Sequence, residues 1–251
     1  MSKSNHWLVP DWPAPANIHA ATTLRTGGVS KEPYLSLNPA IHVNDLIERA
    51  IQNRKIISDM LNLPSEPVWL DQIHSNRIIK AEQTVMPQQA DASYSSDSGV
   101  VCTIMTADCL PLLICSKDGK KIAAIHAGWR GLLSDVITHS ISELISQPPL
   151  TKHNELLVWL GPAIGPNCFE IGIEVHEAFI DKSKIYEKAF KIQNNGKYLA
   201  DIYQLARIEL NALGITDIYG GTYCTMTEKE RFFSYRRDNQ TGRMATLIWK
   251  D

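Results

Sequence analysis

A polar turn between two apolar segments constrains the fold of this chain more than any other feature. Residues 111–115 are Pro-Leu-Leu-Ile-Cys, residues 122–125 are Ile-Ala-Ala-Ile, and an Asp-Gly pair lies between them at residues 118–119. Such a pair between two apolar segments is a strong indicator of a β-hairpin. A hairpin folded symmetrically about the pair places position 109 opposite 128 and position 111 opposite 126. Cys109 and His126 are therefore predicted to lie at the same open end of one rigid hairpin.

Cys109 and His126 belong to a set of three motifs that carry metal-binding side chains. The motifs are Asp-Gln-Ile-His at residues 71–74, Thr-Ala-Asp-Cys-Leu-Pro at 106–111 and His-Ala-Gly-Trp-Arg-Gly at 126–131. One thiolate and two imidazoles leave a fourth tetrahedral position open, which is typical of a catalytic zinc and not of a structural one. A metal ion would also keep the cysteine deprotonated at neutral pH. His74, Cys109 and His126 are the predicted ligands and catalytic residues.

The same side chains are compatible with a second chemistry. Cys109 could be a nucleophile with His126 as its base, and Asp108 or another polar group would orient the imidazole. The hairpin geometry is the same for both chemistries, and the additional imidazole of His74 favours the metal. The remaining histidines are expected to have no ligand role: His6, His19, His42, His139, His153 and His176.

Length, composition and charge fit a soluble enzyme. The chain has 251 residues, of which 44% are hydrophobic, and no Pro/Gly/Ser-rich or charge-biased linker divides it, so one domain over residues 1–251 is expected. A formal charge of -2 argues against a nucleic-acid partner, which usually requires a concentrated basic surface. No segment has the length and apolarity of a transmembrane helix, so no membrane partner is expected.

The N-terminus and the cysteines indicate a cytoplasmic location. Residues 1–15 contain three prolines and two tryptophans but no continuous apolar stretch, so they do not resemble a signal peptide. The five cysteines are odd in number and include no Cys-x-x-Cys pair, which suits a reducing compartment. Cys102 and Cys115 lie in apolar segments and are expected to be buried side chains without a functional role.

Hydrophobic periodicity predicts a mixed α/β (α+β) fold. Helices are predicted over residues 47–61, 132–145 and 202–213. Besides the hairpin, strands are predicted over residues 18–25, 68–73, 77–81, 100–105, 156–160, 218–224, 232–236 and 244–249. Strands outnumber helices and several form antiparallel pairs, so a layered domain is expected in which helices cover a mixed β-sheet core.

Two arginine motifs are candidates for anion binding. Residues 23–30, Thr-Leu-Arg-Thr-Gly-Gly-Val-Ser, lead from a strand into a glycine turn, and residues 233–238, Phe-Ser-Tyr-Arg-Arg-Asp, precede Thr-Gly-Arg at 241–243. Backbone amides and a guanidinium at such turns bind anions. Arg25 and Arg236 are the predicted contacts to phosphate or a substrate anion. The alternative is that both are surface arginines paired with carboxylates, which contributes little to stability.

Taken together, the motifs resemble those of the YfiH family. The shared patterns, in order, are Thr-x-Arg-x-Gly-Gly-Val-Ser, Gln-x-His, Ala-Asp-Cys-x-Pro, His-Ala-Gly-Trp-Arg-Gly, Gly-Pro-Ala-Ile-Gly-Pro-x-Cys-Phe-Glu and Ser-Tyr-Arg-Arg-Asp-x-x-Thr-Gly-Arg. The resemblance covers about residues 22–249. One departure is at residues 37–45, Leu-Asn-Pro-Ala-Ile-His-Val-Asn-Asp, where the family commonly has Leu-Asn-Leu-Gly-x-His-Val-Gly-Asp.

The resemblance implies a fold, a metal site and an activity. The fold would be a single α/β layered domain, distantly similar to cysteine hydrolases of the cytotoxic necrotizing factor type. The zinc ligands would fall on His74, Cys109 and His126. The family is variously labelled laccase-domain, polyphenol oxidase, peptidoglycan editing factor and purine nucleoside phosphorylase. Its members are described as phosphorolysing adenosine, inosine and methylthioadenosine and as deaminating adenosine.

Histidine content argues against true multicopper chemistry. A blue-copper oxidase needs many imidazoles beyond its first copper site, whereas this chain has eight histidines and no His-x-His pair. Copper could still occupy the three-ligand site because of its higher intrinsic affinity.

The motifs predict a cytoplasmic zinc enzyme, and the family resemblance implies that it is a purine nucleoside phosphorylase with adenosine deaminase activity, whose partners are purine nucleosides and phosphate. The alternatives are a cysteine amidase that edits peptidoglycan precursors through Cys109, a copper-dependent polyphenol oxidase, and a non-catalytic zinc-containing binding protein. Metal content and turnover distinguish the last of these from the enzymes.

Overall fold

The structure is a computed structural model that describes residues 6–82, 86–147 and 152–251. The strands are β1 (Trp7–Leu8), β2 (Ile18–Thr23), β3 (Ile78–Lys80), β4 (Ala92–Ser95), β5 (Cys102–Thr106), β6 (Leu110–Ser116), β7 (Ile122–Ala127), β8 (Leu156–Leu160), β9 (Glu170–Ile171), β10 (Phe190–Ile192), β11 (Tyr198–Ala200), β12 (Ile218–Gly220) and β13 (Met244–Lys250). The α-helices are α1 (Ile47–Leu61), α2 (Trp129–Leu133), α3 (Val136–Ser146), α4 (Ile173–Lys182), α5 (Ile202–Ala212) and α6 (Tyr235–Asp238).

The strands form three sheets. The largest has the order β12-β8-β6-β7-β4-β3, with antiparallel pairs at its centre and parallel pairs at both ends. A second, antiparallel sheet has the order β1-β2-β13-β5, and a small third sheet has the order β10-β11-β9. The predicted mixed sheet is therefore confirmed, although the core strands are divided between two main sheets.

Side-chain alternation along β6 shows how the layers stack. Leu112 and Ile114 lie in an apolar cluster with residues of α3, α4 and α5, whereas Leu113 and Cys115 lie in a cluster with residues of β5 and β13. Successive side chains of a strand point to opposite faces, so the large sheet packs against helices on one face and against the second sheet on the other. A third cluster joins the second sheet to Ile57 of α1. The hairpin β6–β7 is thus central, and every residue of both strands is buried.

The hairpin has the predicted register. Pro111 pairs with His126 and Leu110 pairs with Ala127, as expected for folding about the Asp-Gly pair, and Gly119 has the positive φ of 69° that such a turn requires. The helix at 47–61 and the strand at 156–160 also have the predicted bounds. The helix predicted over 132–145 is divided in two, because Asp135 adopts a left-handed conformation with φ of 62°.

Two strand predictions are wrong. Residues 68–73 do not form a strand, and their only ladder-type contacts among the described residues are two isolated bridges, Val68 with Cys102 and Asp71 with Gln89. The side-chain amide of Gln72 donates to the carbonyl oxygen of Met105 and accepts from its N–H. These are the backbone groups that a paired strand would otherwise bind. Residues 232–236 turn into α6, because the Ser234 hydroxyl accepts a hydrogen bond from the N–H of Arg237 and caps that helix.

Among the described residues, no helix combines the length and the apolar character needed to cross a bilayer.

Candidate metal centre

The open end of the hairpin positions two of the three predicted ligands. Cys109 directly precedes β6, and His126 lies near the end of β7, opposite Pro111. Asp108, with φ of 89°, adopts a left-handed conformation where the chain turns from β5 into β6. The hairpin therefore brings Cys109 and His126 to one edge of the sheet, as predicted.

His74 completes the cluster from a separate segment. The side chains of His74, Cys109 and His126 offer three ligand atoms that lie within 4.8 Å of one another, and within the described residues they form the one group of this kind. The Sγ of Cys109 is 3.8 Å from the Nε2 of His74. His126 is buried, Cys109 is partly buried and His74 is exposed. The cluster is thus open to solvent on the His74 side, where a substrate can approach.

Asp91, which sequence reasoning missed, holds both histidines. Its buried carboxylate accepts a hydrogen bond from the Nδ1 of His126 at 2.8 Å and one from the backbone N–H of His74 at 3.0 Å. It also accepts hydrogen bonds from the backbone N–H and the hydroxyl of Ser75. Because Nδ1 of His126 donates to a carboxylate, Nε2 is the nitrogen that carries the lone pair when the ring is neutral. A carboxylate that fixes the tautomer of a ligating histidine in this way is a common feature of zinc sites.

The donor set suits a tetrahedral zinc ion. Zinc bonds of about 2.3 Å to sulfur and about 2.0–2.1 Å to nitrogen place a sulfur and a nitrogen ligand roughly 3.5 Å apart. The Sγ of Cys109 and the Nε2 of His74 are 3.8 Å apart, and all three ligand atoms lie within 4.8 Å of one another, so the side chains would draw slightly closer together around a bound ion. Imidazole and thiolate ligands also suit copper, so the cluster is consistent with a metal cofactor of either kind.

Gly128 provides the space for this cluster. A Cβ atom at this position would lie 2.9 Å from the Cδ2 of His74 and 3.1 Å from the Sγ of Cys109, which is closer than carbon atoms normally approach. A larger residue here would displace the side chains of His74 and Cys109, because the backbone after His126 runs directly past these two ligands.

Electrostatics favour a thiolate in the cluster. Burial by itself raises the pKa of Cys109, but the charge of His126 and hydrogen bonds from both histidines outweigh it and lower the pKa to about 6. Burial by itself lowers the pKa of His126, but Cys109 and Asp91 raise it to about 9. A thiolate beside a protonated imidazole is the charge state of a nucleophilic cysteine, and binding of a metal ion at His126 would release the proton from that ring.

The other cysteines and Asp108 differ from Cys109 in their surroundings. Cys102 and Cys115 are buried, as predicted, and burial raises their pKa values to about 12. Asp108 does not orient His126, in contrast to one interpretation of the sequence. Its two carboxylate oxygens accept hydrogen bonds from the Thr225 hydroxyl and from the backbone N–H of Arg236, each at 2.6 Å. Asp91 fills the orienting position.

The predicted arginines lie in different environments. Arg25 donates hydrogen bonds to the carbonyl oxygens of Leu35 and Lys229, and its guanidinium lies 5.0 Å from the centre of the Phe233 ring. The exposed Arg236 donates to the carbonyl oxygen of Glu170 at 2.7 Å, and its backbone N–H is fixed by Asp108, the neighbour of Cys109. Arg236 is thus connected to the ligand cluster through one residue.

Matches to known proteins cover nearly the whole chain. A family model described as "Multi-copper polyphenol oxidoreductase laccase" matches residues 19–251. A protein of Escherichia coli (strain K12) named "Purine nucleoside phosphorylase YfiH" is 49% identical over 243 residues, which are 96% of this chain and 98% of that protein. A Pseudomonas aeruginosa protein, also named a purine nucleoside phosphorylase, is 47% identical over 246 residues, which are 98% of each chain.

Solved structures of similar chains have the same fold. A Neisseria meningitidis protein superposes with a TM-score of 0.93 at 44% identity and covers 98% of this chain and 100% of its own. YlmD from Geobacillus stearothermophilus superposes with a TM-score of 0.90 at 27% identity, with coverage of 100% of this chain and 98% of its own.

Proposed function

The chain belongs to the YfiH family, whose model is described as multi-copper polyphenol oxidoreductase laccase, and from this premise we propose that it is a zinc-dependent purine nucleoside phosphorylase. The family resemblance inferred from the motifs is thereby confirmed. The proposed substrates are inorganic phosphate with adenosine, inosine or methylthioadenosine. The observation that carries the proposal is the cluster of His74, Cys109 and His126, whose ligand atoms lie within 4.8 Å of one another at the open end of a buried hairpin.

Phosphorolysis makes specific demands on such a site. A phosphate oxygen forms a bond to C1′ of the ribose while the bond from C1′ to the purine nitrogen breaks, and the purine leaves with the electron pair and gains a proton. The sugar acquires oxocarbenium character, so the enzyme must place the phosphate and stabilise negative charge on the leaving base. Zinc held by His74, Cys109 and His126 would supply a Lewis acid.

Asp91 and two arginines are proposed to meet these demands. Asp91 keeps the His126 ring in one tautomer and one orientation, which limits the reorganisation needed during the reaction. Arg25 and Arg236 are proposed to contact the phosphate or another anionic part of the substrates, because a guanidinium binds oxyanions in a bidentate manner. Deamination of adenosine, in which water replaces the amino group and ammonia leaves, is proposed as a second activity of the same open site.

One alternative has a specific observation in its favour. Cys109, His126 and Asp91 form the thiol, imidazole and carboxylate sequence of a cysteine hydrolase, so an amidase acting on peptidoglycan precursors is the second candidate function. A copper polyphenol oxidase has less support, because the described residues provide one three-ligand cluster and a multicopper enzyme needs further imidazoles.

Product identification with defined metal content tests the proposed function. Purified protein loaded with zinc is incubated with adenosine, with and without inorganic phosphate, and the products are separated by chromatography. Phosphate-dependent release of adenine and ribose 1-phosphate is the expected result, with inosine as the product of deamination. If the zinc-loaded protein releases no adenine in saturating phosphate, the phosphorylase assignment is wrong.

Alkylation of Cys109 is expected to be slow in the zinc-loaded protein and fast after chelation, because coordination occupies the sulfur lone pair that attacks the reagent. In the metal-free protein the pKa of Cys109 is about 6, so the thiolate is formed above that pH. The alkylation rate should therefore rise as the pH passes through about 6 and be nearly constant at neutral pH. Mass spectrometry of the labelled peptides measures the rate at Cys109 separately from the rates at Cys168 and Cys224.

The opposite outcome would support the amidase. If metal-free protein hydrolyses a peptide amide and an acyl adduct is trapped on Cys109, the cysteine is a nucleophile and the metal interpretation is wrong.

Replacement of Arg25 or Arg236 by lysine is expected to raise the KM for phosphate by roughly 10-fold, because the lysine keeps the charge but loses the bidentate hydrogen bonds. The zinc content should be unchanged, since neither side chain is a ligand. Initial rates over a range of phosphate concentrations, together with metal analysis, measure both quantities. An unchanged phosphate dependence in both variants would assign the two arginines a structural role, such as the carbonyl contacts of Arg25.

A further inference from the structure

Arg243 lies at the same end of the second sheet as the turn that carries Cys109. It directly precedes β13, whose first residue, Met244, pairs with Thr106 at the end of β5. Continuing this antiparallel register places Arg243 beside Ala107, in the turn that ends at Cys109. Sequence reasoning noted this arginine only as part of the Thr-Gly-Arg motif and gave it no role.

The guanidinium of Arg243 is anchored on one side only. Nη1 donates hydrogen bonds to the carbonyl oxygens of Thr241 and Gly242, at 2.9 and 3.0 Å. The backbone N–H donates to Oδ1 of Asn38, so the residue is fixed at both its main chain and its side chain. Among the residues that the structure describes, no acceptor contacts Nε or Nη2 of Arg243, and no carboxylate forms an ion pair with it.

Within the described part of the chain, this arrangement leaves a partly buried cation without an ion-pair partner. Buried charges are normally paired, because loss of hydration is costly when no counter-charge replaces it. Burial lowers the pKa of Arg243, while the negative charges of Cys109 and Asp108 oppose the change, so the guanidinium lies within electrostatic range of the ligand cluster. The partly buried Arg237, in contrast, forms an ion pair with Asp238, whereas Arg207 resembles Arg243 in that its guanidinium donates to main-chain carbonyl oxygens.

We propose that the free Nε and Nη2 edge of Arg243 binds the phosphate co-substrate next to the His74, Cys109 and His126 cluster, an inference that rests on the proposed phosphorylase function. Nε and Nη2 lie on one edge of the guanidinium plane and present two parallel N–H groups, which match two oxygens of one phosphate. Because Nη1 is already held by two carbonyl oxygens, the edge is oriented before phosphate arrives, and little side-chain entropy is lost on binding.

The site also gives a role to the segment in which this chain departs from the family pattern. Asn38, which orients Arg243, also bonds to Ala40 and Asp45 through its side-chain amide. The segment at residues 38–45 is therefore folded around the same asparagine that positions the guanidinium. Changes within this segment can adjust the orientation of Arg243 without altering a metal ligand.

Inorganic phosphate is the probe for this site. Its binding to the zinc-loaded protein is measured by calorimetry in the absence of nucleoside, and the KM values for phosphate and adenosine are measured in the phosphorolysis assay. Arg243→Gln is expected to weaken phosphate binding on the order of 10- to 100-fold, the range for loss of charge-assisted hydrogen bonds. Arg243→Lys should show a smaller loss, because it keeps the charge without the paired N–H groups. The KM for adenosine and the zinc content should change by less than about threefold.

Arg207→Lys is the matched control. This guanidinium also donates to main-chain carbonyl oxygens, those of Ile218 and Gly220, but it lies on α5 and contacts no residue of the cluster. Its replacement should leave phosphate binding unchanged. If Arg243→Gln fails to fold by circular dichroism, Arg243→Lys provides the comparison.

The outcomes separate this site from the proposed function. Wild-type phosphate affinity in both Arg243 variants overturns the site, whether or not the enzyme phosphorolyses nucleosides. Arg243-dependent phosphate binding in a protein that releases no adenine supports the site and refutes the phosphorylase. Acetate that displaces phosphate at comparable concentration would identify a carboxylate site and overturn the assignment to phosphate.

Discussion

Replacing Cys109 with alanine is expected to remove bound zinc and enzymatic activity together. The substitution deletes the thiolate and leaves the two imidazoles of His74 and His126, which are too few ligands to retain a catalytic zinc ion. The metal accounts for several kcal/mol of transition-state stabilisation, so turnover should fall by about three orders of magnitude or more. Elemental analysis after dialysis and the rate of adenine release measure the two effects.

Cys168→Ala is the control for this prediction. Cys168 is also a partly buried free thiol, but it is not a member of the ligand cluster, so its replacement should preserve the zinc content and most of the activity. Full zinc occupancy in the Cys109→Ala protein would contradict the assignment of Cys109 as a ligand.

Replacing Asp91 with asparagine is expected to weaken zinc binding by about 10- to 100-fold, the usual effect of changing the hydrogen-bond partner of a ligating histidine. An amide has one acceptor oxygen, whereas the carboxylate accepts hydrogen bonds from His126, His74, Ser75 and Ile73. Unpaired buried donors should also lower the free energy of unfolding by about 2 kcal/mol. Competition with a chelator measures the zinc affinity, and urea denaturation of the metal-free protein measures stability.

The pH dependence of that stability difference has a defined sign. Burial raises the pKa of Asp91, but hydrogen bonds from His126 and Ser75 outweigh it and hold the pKa below its usual range. A depressed carboxyl pKa stabilises the fold above the unfolded value of about 3.9, and the contribution is lost as the pH falls through the folded value. The difference in the free energy of unfolding between the native protein and Asp91→Asn should therefore diminish in acid.

The control for the zinc affinity is Asp71→Asn, an exposed change in the motif that contains His74. Equal zinc affinities for Asp91→Asn and this control would contradict the role of Asp91.

The half of the site that lies on the hairpin could be predicted from the sequence because local chemistry determines it. An Asp-Gly turn between two apolar segments sets the register, and the register places Cys109 and His126 at one end. His74 was identified by residue type and motif only. Its segment is irregular, with φ of 59° at His74 itself, and no periodicity in the sequence encodes such a conformation.

Asp91 and Arg243 could not be predicted because long-range pairing creates their roles. Asp91 is 35 residues from His126, and it reaches that ring because the neighbouring strand β4 pairs with β7. Its surroundings, Ala-Asp-Ala, contain no pattern that distinguishes it from a surface aspartate. Arg243 approaches Cys109 through the pairing of β13 with β5, which the sequence does not specify.

The unequal support of the three ligands has a consequence for how metal affinity can change. Core packing on both faces of the hairpin fixes Cys109 and His126, whereas the backbone at His74 is tied to the hairpin through one carboxylate, that of Asp91. The measured free energy of metal binding then has two parts, the energy of the metal–ligand bonds and the free energy needed to bring the segment that carries His74 into its binding position. Substitutions at exposed neighbours such as Ile73 can alter the second quantity alone. A few surface residues can therefore set the metal affinity of this site while the three ligands stay the same.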